Sequence, residues 1–295
     1  MRRRIFNALR RRHFFDWMSD RAYLKLMYFV IMGRRLNLKD PKTFNEKLQW
    51  LKLYNRKDIY TKMVDKYDVK KYVEDICGSE YVIKTFGVYE NFDDINFDSL
   101  PNKFVIKCTH DSGGVCVCKN KQEFDILSAR QKINRCLKNN FFYTGREWPY
   151  KNVKPRIIVE EYLENDKDED LNDYKLMCFN GKVKCSFVCS DRYKKDGLKV
   201  TFFDTKWRKM PFARHYPTSN EKIPKPKNYG KMVELAEKLA RDLPFVRIDF
   251  YEVKNKIYFG EITFYPGNGV EEFTPEKYDY ILGSWINLDG VKNEK

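Results

Sequence analysis

Two stretches near the end of the chain alternate apolar and polar positions: Val246-Arg247-Ile248-Asp249-Phe250-Tyr251 and Tyr258-Phe259-Gly260-Glu261-Ile262-Thr263. Both are rich in β-branched and aromatic side chains, and their period of two predicts a pair of strands. Lys254-Asn255-Lys256 lies between them, a short polar loop whose Asn tolerates a left-handed backbone. A three-residue loop with Asn255 left-handed pairs Val253 with Ile257 and sets Asp249 opposite Glu261. Arg247 then lies opposite Thr263 on the same face. A two-residue loop instead turns the two acids to opposite faces. Carboxylates that face each other across a sheet repel, and a bound divalent cation reverses that sign.

Upstream, Thr43 followed three residues later by Glu46 predicts a capped helix running through Leu48, Trp50, Leu51 and Leu53. The spacing of Val64, Tyr67, Val69 and Tyr72/Val73 predicts one helix over 60–76, stopped by Gly78. A strand is expected over 81–89. Phe104-Val105-Ile106-Lys107 and Val115-Cys116-Val117-Cys118 read as strands flanking Asp111-Ser112-Gly113-Gly114. Such a glycine pair lets backbone fold over a ligand and point N–H groups at it, with Lys107 reaching the same anion. The pattern equally describes a plain hairpin with a polar turn, and it lacks the Gly-Lys-Ser/Thr ending of a P-loop. A helix over 123–139, a turn at Trp148-Pro149-Tyr150, a strand over 157–163 and a hairpin through Asn180-Gly181 follow. A strand at 201–203 and a Pro-rich connection over 211–226 lead to an amphipathic helix over 229–242. Met232, Leu235, Ala236 and Leu239 form its inner face.

Composition narrows the function classes. The length of 295 residues suits two domains or one elaborated one, and 42% apolar content is ordinary for a globular protein. The net charge of +15 favours anionic partners, but it is unevenly spread. Residues 1–35 carry ten Arg/Lys against Asp16 and Asp20, a net +8, so a nucleic-acid reading rests on the N-terminal arm alone. That arm fits a basic amphipathic helix on an anionic membrane face, and equally an arm whose aromatics pack on the domain. The apolar run 26–32 is too short to span a membrane and no secretory signal is evident, so a cytoplasmic location is expected. None of the eight Cys forms a Cys-x-x-Cys pair, and only His13, His110 and His215 are available as imidazoles. Reduced thiols are expected, and a structural zinc site is not.

In content and in order, these pieces resemble the ATP-grasp superfamily, with local motifs similar to D-alanine–D-alanine ligase. Between about residues 27 and 285 the chain looks like the TupA-like ATP-grasp proteins of cell-surface polysaccharide clusters. The segments carrying that likeness are Asp40-Pro41-Lys42-Thr43-Phe44-Asn45-Glu46-Lys47, Phe97-Asp98-Ser99-Leu100-Pro101, Phe104-Val105-Ile106-Lys107-Cys108, Asp173-Tyr174-Lys175, Phe179-Asn180-Gly181-Lys182 and Thr263-Phe264-Tyr265-Pro266. The resemblance implies an α+β ATP-grasp fold, two α+β subdomains gripping ATP, with an N-terminal helical extension. The expected division is a basic helical extension over 1–60, a helix–strand segment over 61–102 and the ATP-grasp domain over 103–295. It also implies ATP contacts from Lys66, from Lys107 with Ser112, Gly113 and Gly114, and from an adenine hinge at Glu160, Glu161 and Leu163. Asp173 is the expected ribose acid and Lys175 a phosphate contact. Asp249 and Glu261 are the implied magnesium ligands, and Arg247 the catalytic residue. Thr263 stands where the family places a metal-ligating Asn.

Carried over as a mechanism, the resemblance implies a ligase: ATP phosphorylates a carboxylate, and an amine attacks the acyl phosphate to give an amide. Positioning and charge neutralisation would carry that chemistry without a side-chain nucleophile. The implied partners are a small amine and a carboxylate-bearing sugar, with acceptor recognition from the N-terminal helices and the loops around Trp148 and Arg192. Two other classes remain open at this stage. A glycosyltransferase would want a metal-binding acidic motif, and Asp168-Glu169-Asp170 is the nearest. A non-catalytic membrane- or nucleic-acid-binding module would rest on the Arg-rich arm. In a purely structural reading Asp249 and Glu261 are solvent-facing and neutralised by Arg247, His110 is a core or loop residue, and Lys175 and Arg192 are solvated or paired.

Overall fold

The computed structural model describes residues 1–164, 171–190 and 197–291, so the Asp168–Asp170 motif and Arg192 lie outside the described residues. The chain begins with two helices, α1 (Arg2–Arg11) and α2 (Asp20–Met32). Ser19 caps α2, accepting from the Ala22 N–H, and Gly33 ends it at φ 75°, where a side chain would be strained. Phe6 and Phe15 pack on Tyr23 to give these helices a small core of their own, while Ile5, Phe14 and Trp17 remain exposed.

Helix α3 (Phe44–Tyr54) opens with the expected capping box, Thr43 and Glu46 satisfying each other's backbone N–H groups. The single helix expected over 60–76 is two, α4 (Asp58–Val64) and α5 (Asp68–Cys77). Asp65 breaks it: its carboxylate accepts from the Tyr67 and Asp68 N–H groups at 2.7 and 3.0 Å, capping α5 from within the run. Apolar periodicity continues through the break, which is why the pattern alone reads as one helix.

A four-stranded antiparallel sheet follows, built from β1 (Thr85–Tyr89), β2 (Phe104–Cys108), β3 (Val115–Cys118) and β4 (Ile157–Glu161) in the order β1-β4-β2-β3. Between β3 and β4 come α6 (Ile126–Leu137) and the short α7 (Phe142–Gly145). Phe104, Ile106, Cys108, Ile157 and Val159 point to one face and bury against Ala129 and Ile133 of α6. Lys107 and Glu160 belong to the other face.

The second sheet has five antiparallel strands in the order β10-β9-β5-β6-β7. These are β5 (Asp173–Phe179), β6 (Lys182–Ser190), β7 (Lys199–Asp204), β9 (Phe245–Val253) and β10 (Lys256–Thr263). Asn180 and Gly181, both left-handed, make the expected two-residue turn between β5 and β6. A two-strand ribbon pairs β8 (Ala213–Arg214) with β11 (Phe273–Thr274). Helix α8 (Tyr229–Leu239) lays Met232, Leu235, Ala236 and Leu239 into the largest core, with Leu176, Cys178, Ile248 and Phe250 of the sheet. Helix α9 (Lys277–Ser284) closes the chain against α3. Each sheet thus buries an apolar face under a helix and carries its charged residues, Lys107 and Glu160 on one and Lys175, Arg247 and Asp249 on the other, on the opposite face. No disulfide joins any of the eight cysteines, and Cys108, Cys118, Cys178 and Cys185 are buried. Among the described residues no helix is long and apolar enough to cross a membrane.

Candidate active site

The β9–β10 hairpin departs from the sequence expectation at its turn and meets it at the acids. Lys254 and Asn255 are both left-handed, and Val253 pairs with Lys256, so the loop has two residues. That register alone would turn Asp249 and Glu261 to opposite faces. A bulge at Gly260 restores the pairing: Phe259 lies opposite Phe250, Glu261 opposite Asp249, and Thr263 opposite Arg247. Glycine suits the bulge, since a Cβ there would stand 3.1 Å from the Tyr251 ring and 3.2 Å from the Asp249 carbonyl.

Arg247 holds the hairpin acids together. Its guanidinium grips both Asp249 oxygens at 2.7 Å and also donates to Glu261, to which Thr263 donates at 3.1 Å. Lys175, opposite Asp249 on β5, bridges Asp249 and Asp173. Asp249 is 1% exposed, so it is a buried acid and not a solvent-facing one. Burial lifts its carboxyl above the ordinary aspartate range, against the pull of Arg247 and Lys175. Burial also opposes ionisation of Glu261, but Arg247, Lys175 and Lys66 together outweigh it and hold that carboxyl at about 2. One oxygen of Asp173 is buried without a partner.

The smaller sheet contributes cations. Glu160 is 4% exposed and is shared by Lys107 at 2.7 Å and Lys70 at 2.5 Å. Burial opposes its charge, and the two lysines offset that, so its carboxyl lies below the ordinary range. Lys66 occupies the break between α4 and α5, pinned there by its N–H to the Thr109 carbonyl at 3.1 Å. Its ammonium donates to the Asp111 carbonyl, and burial lowers its pKa against the pull of Glu261 and Asp111. Arg156 pairs with Asp65 and Asp68 at 3.0 and 2.8 Å, and the charge of Asp65 also acts on Lys66. Charges of both sheets reach one point: Tyr251 of β9 feels Asp173, Asp249 and Glu261 of its own sheet and Glu160 of the other.

The remaining expected residues divide. In the loop after β2, Gly114 closes a turn, its N–H held by Asp111 at 3.0 Å and its carbonyl accepting from Cys108 at 2.7 Å. A Cβ on Gly114 would meet the Cys108 sulfur at 2.6 Å, so its glycine answers to packing. Ser112 and Gly113 are exposed on the outside of that loop. Glu161 is exposed on the opposite side of β4 from Glu160, and Leu163 is half-buried just beyond the strand. His110 is buried and anchors the Cys136 and Asn139 carbonyls through Nε2, a structural post. Lys70 was not foreseen, although it follows Lys66 by four residues, a helical step. Glu147 and Tyr150, which feel the charges of Arg247 and Glu261, were not foreseen either.

The donor set fits magnesium in kind: the acids offer hard oxygen ligands, and Asp173 has an orphaned buried oxygen. Asp249 already has both oxygens engaged, so a cation there would exchange with Arg247 or Lys175. Among the described residues no group of three His, Cys, Asp or Glu side chains could hold a metal by itself.

A family model described as TupA-like ATPgrasp matches residues 46–287. No curated protein matches the chain. Among solved structures, D-alanine–D-alanine ligase from Helicobacter pylori is 16% identical, with a TM-score of 0.42 over 77% of this chain and 61% of its own. The Bacillus anthracis D-alanine–D-alanine ligase complexed with ATP is 15% identical, with a TM-score of 0.40 over 68% and 54%. Biotin carboxylase from Campylobacter jejuni is 14% identical, with a TM-score of 0.45 over 75% and 46%. The chain spans about half to three fifths of the length of these structures.

Proposed function

The chain belongs to the TupA-like ATP-grasp family, and from that membership we propose that it is an ATP- and magnesium-dependent carboxylate–amine ligase. In this reading it forms an amide through an acyl phosphate. Its acid is a uronic-acid sugar of cell-surface polysaccharide, and its base is a small amino compound.

The observation that carries the reading is a charge imbalance of opposite sign on the two sheets. On one side Lys70 and Lys107 share one buried carboxylate, Glu160, and the charge of Lys66 acts on that of Lys107. On the other, Asp173, Asp249 and Glu261 exceed Arg247 and Lys175 by one charge. A polyphosphate with its divalent cation answers both at once, the phosphates meeting the lysines and the cation meeting the acids.

The residues then divide the work. Lys66, Lys70 and Lys107 bind and orient the phosphates, and Glu160 keeps Lys70 and Lys107 in place. Asp249 and Glu261, with Asp173 and Thr263 near, would hold magnesium, which neutralises charge on the transferring phosphoryl group. Arg247 leaves Nη1 without a partner among the described residues, and its planar fork suits a phosphoryl or tetrahedral oxyanion. Glu161 and Leu163, at the end of β4, would form the adenine hinge, and the exposed Ser112 and Gly113 would close over the phosphates. The exposed Ile5, Phe14 and Trp17 among the N-terminal arginines support a peripheral contact with anionic lipid.

The test incubates the purified chain with ATP, magnesium and single uronic acids, with hydroxylamine as a general nucleophile. ADP release and hydroxamate formation that both require the acid are expected. Release of UDP or CMP from a sugar nucleotide, with ATP untouched, would sink the ligase in favour of a glycosyltransferase. Vesicles rich in anionic lipid should retain the chain, and replacing Phe14 and Trp17 by Ser should weaken that retention; equal partitioning removes the membrane contact.

A further inference from the structure

Glu147 is a buried carboxylate with no partner. It is 6% exposed, yet it accepts no hydrogen bond and joins no ion pair among the described residues. Buried carboxylates are ordinarily paired, so a lone one in a cleft points to something that arrives later. The nearest candidate for an internal partner is Lys52, which is fully buried. Its three N–H groups already reach the Gly145 carbonyl at 2.9 Å, the Asn268 carbonyl at 2.9 Å and the Asn268 side-chain oxygen at 2.5 Å. Lys52 therefore has no donor left for Glu147, although its charge still acts on it.

The direction in which Glu147 lies is set by its electrostatic neighbours. Besides Lys52, it feels Arg247 and Glu261 of the hairpin. Tyr150, three residues on and joined to it by an N–H bond to its carbonyl at 3.1 Å, feels Glu147, Glu261, Arg247 and Asp111. The turn is also tied to the chain just beyond β10, since Lys52 joins the Gly145 carbonyl to Asn268, and so it borders the charged centre of the hairpin.

The turn is also built with unusual support. Arg146 is left-handed at φ 54° and 1% exposed, its guanidinium donating to the carbonyls of Phe15, Asp16 and Met18 and lying over the rings of Tyr23, Phe142 and Tyr143. Gly145 admits no side chain, since a Cβ there would lie 2.0 Å from Asn268. Tyr23 and Arg10 both donate to the Thr144 carbonyl. An orphan acid on so rigid a mount is a placed group, not a stray one.

We propose that Glu147 binds the acceptor amine in its ammonium form beside Arg247 and takes the proton that the nitrogen must shed before its lone pair attacks the acyl carbon and phosphate leaves. The inference rests on the ligase reading and adds that the acceptor arrives as a cation. A primary alkylamine is an ammonium at neutral pH, its pKa being near that of lysine, about 10.4. The buried carboxylate gains from such a partner the charge-assisted hydrogen bond it lacks. Burial raises the Glu147 carboxyl to about 7, and an incoming cation favours its ionised form.

The test uses the full chain with whichever uronic acid gives hydroxamate. Hydroxylamine, uncharged near pH 8, is compared with a cationic panel of amino acids, ethanolamine and putrescine. Glu147→Gln should raise the KM of the cationic acceptor by about 10–100-fold, the loss of one charge-assisted pair. Hydroxamate formation and nucleotide affinity should stay close to wild type, and Glu147→Asp should recover part of the amine affinity. Equal loss with hydroxylamine and amine, or lost nucleotide binding in both variants, assigns Glu147 to the fold and overturns the proposal. So does an unchanged amine KM, or a wild-type enzyme that uses hydroxylamine and none of the cations. If wild type forms neither ADP nor hydroxamate with any acid, the ligase reading itself fails, a result distinct from these.

Discussion

Asp249 faces Glu261 across β9 and β10 only because Gly260 is bulged out of the ladder. A two-residue turn and a one-residue bulge compensate, and the acids meet. Gly260→Val would press a branched side chain into the 3.1–3.2 Å contacts with Tyr251 and the Asp249 carbonyl. The expected cost is about 1–3 kcal/mol, read as a lower urea midpoint, with ADP release falling further than stability. Unchanged turnover would mean that the facing acids are not what the reaction needs.

Among the described residues Arg247 is the sole guanidinium holding Asp249, which is buried. Arg247→Met leaves that carboxylate short of its main partner and should destabilise the fold by about 3–5 kcal/mol. Arg247→Lys keeps the charge and loses the fork, so it should fold well and lose about 100-fold in turnover. Chemical denaturation and an ADP-release assay on both variants separate the structural from the chemical part.

Lys70 shares Glu160 with Lys107 and should matter to nucleotide binding. Lys70→Met is expected to weaken ATP about tenfold in calorimetry, roughly the value of one net hydrogen bond to a charged group. Lys71→Met is the control, since Lys71 is exposed and pairs only with Glu74 and Asp75. Equal effects of the two would reduce the Lys70 contribution to general surface charge.

These residues also mark where reading the sequence reaches its limit. Alternation and turn chemistry predict β9, β10, the Asn180-Gly181 hairpin and the capped α3, because each is decided by neighbours within a few positions. The same local logic misjudges the 254–256 turn, where a glycine five residues away corrects the register. It also runs α4 and α5 together, since apolar spacing does not reveal that Asp65 caps the second helix. Lys70 and Glu160 are ninety positions apart, and no spacing rule couples them. Glu147 sits in a polar loop, where a buried orphan and a solvated acid look alike until the fold surrounds one of them.

Acid should weaken the fold partly through Glu261. Its carboxyl drops from an ordinary 4.5 to about 2 on folding, so its contribution is present above 4.5 and is lost as pH falls toward 2. Urea midpoints at pH 5 and pH 3 should differ more for wild type than for Glu261→Gln, which has no such proton to take up. An identical difference would assign the acid limb to other groups, Glu160 among them.

The three carbonyls gripped by Arg146 belong to residues 15, 16 and 18, ahead of the matched segment that begins at residue 46. A gene fragment cut at that boundary would keep every lysine around Glu160 and every acid around Arg247. It would also release the turn that carries Glu147 from its anchor. Such a trimmed protein is expected to bind nucleotide and to leak ATP to water, its coupling to the acceptor lost with a segment that touches no phosphate.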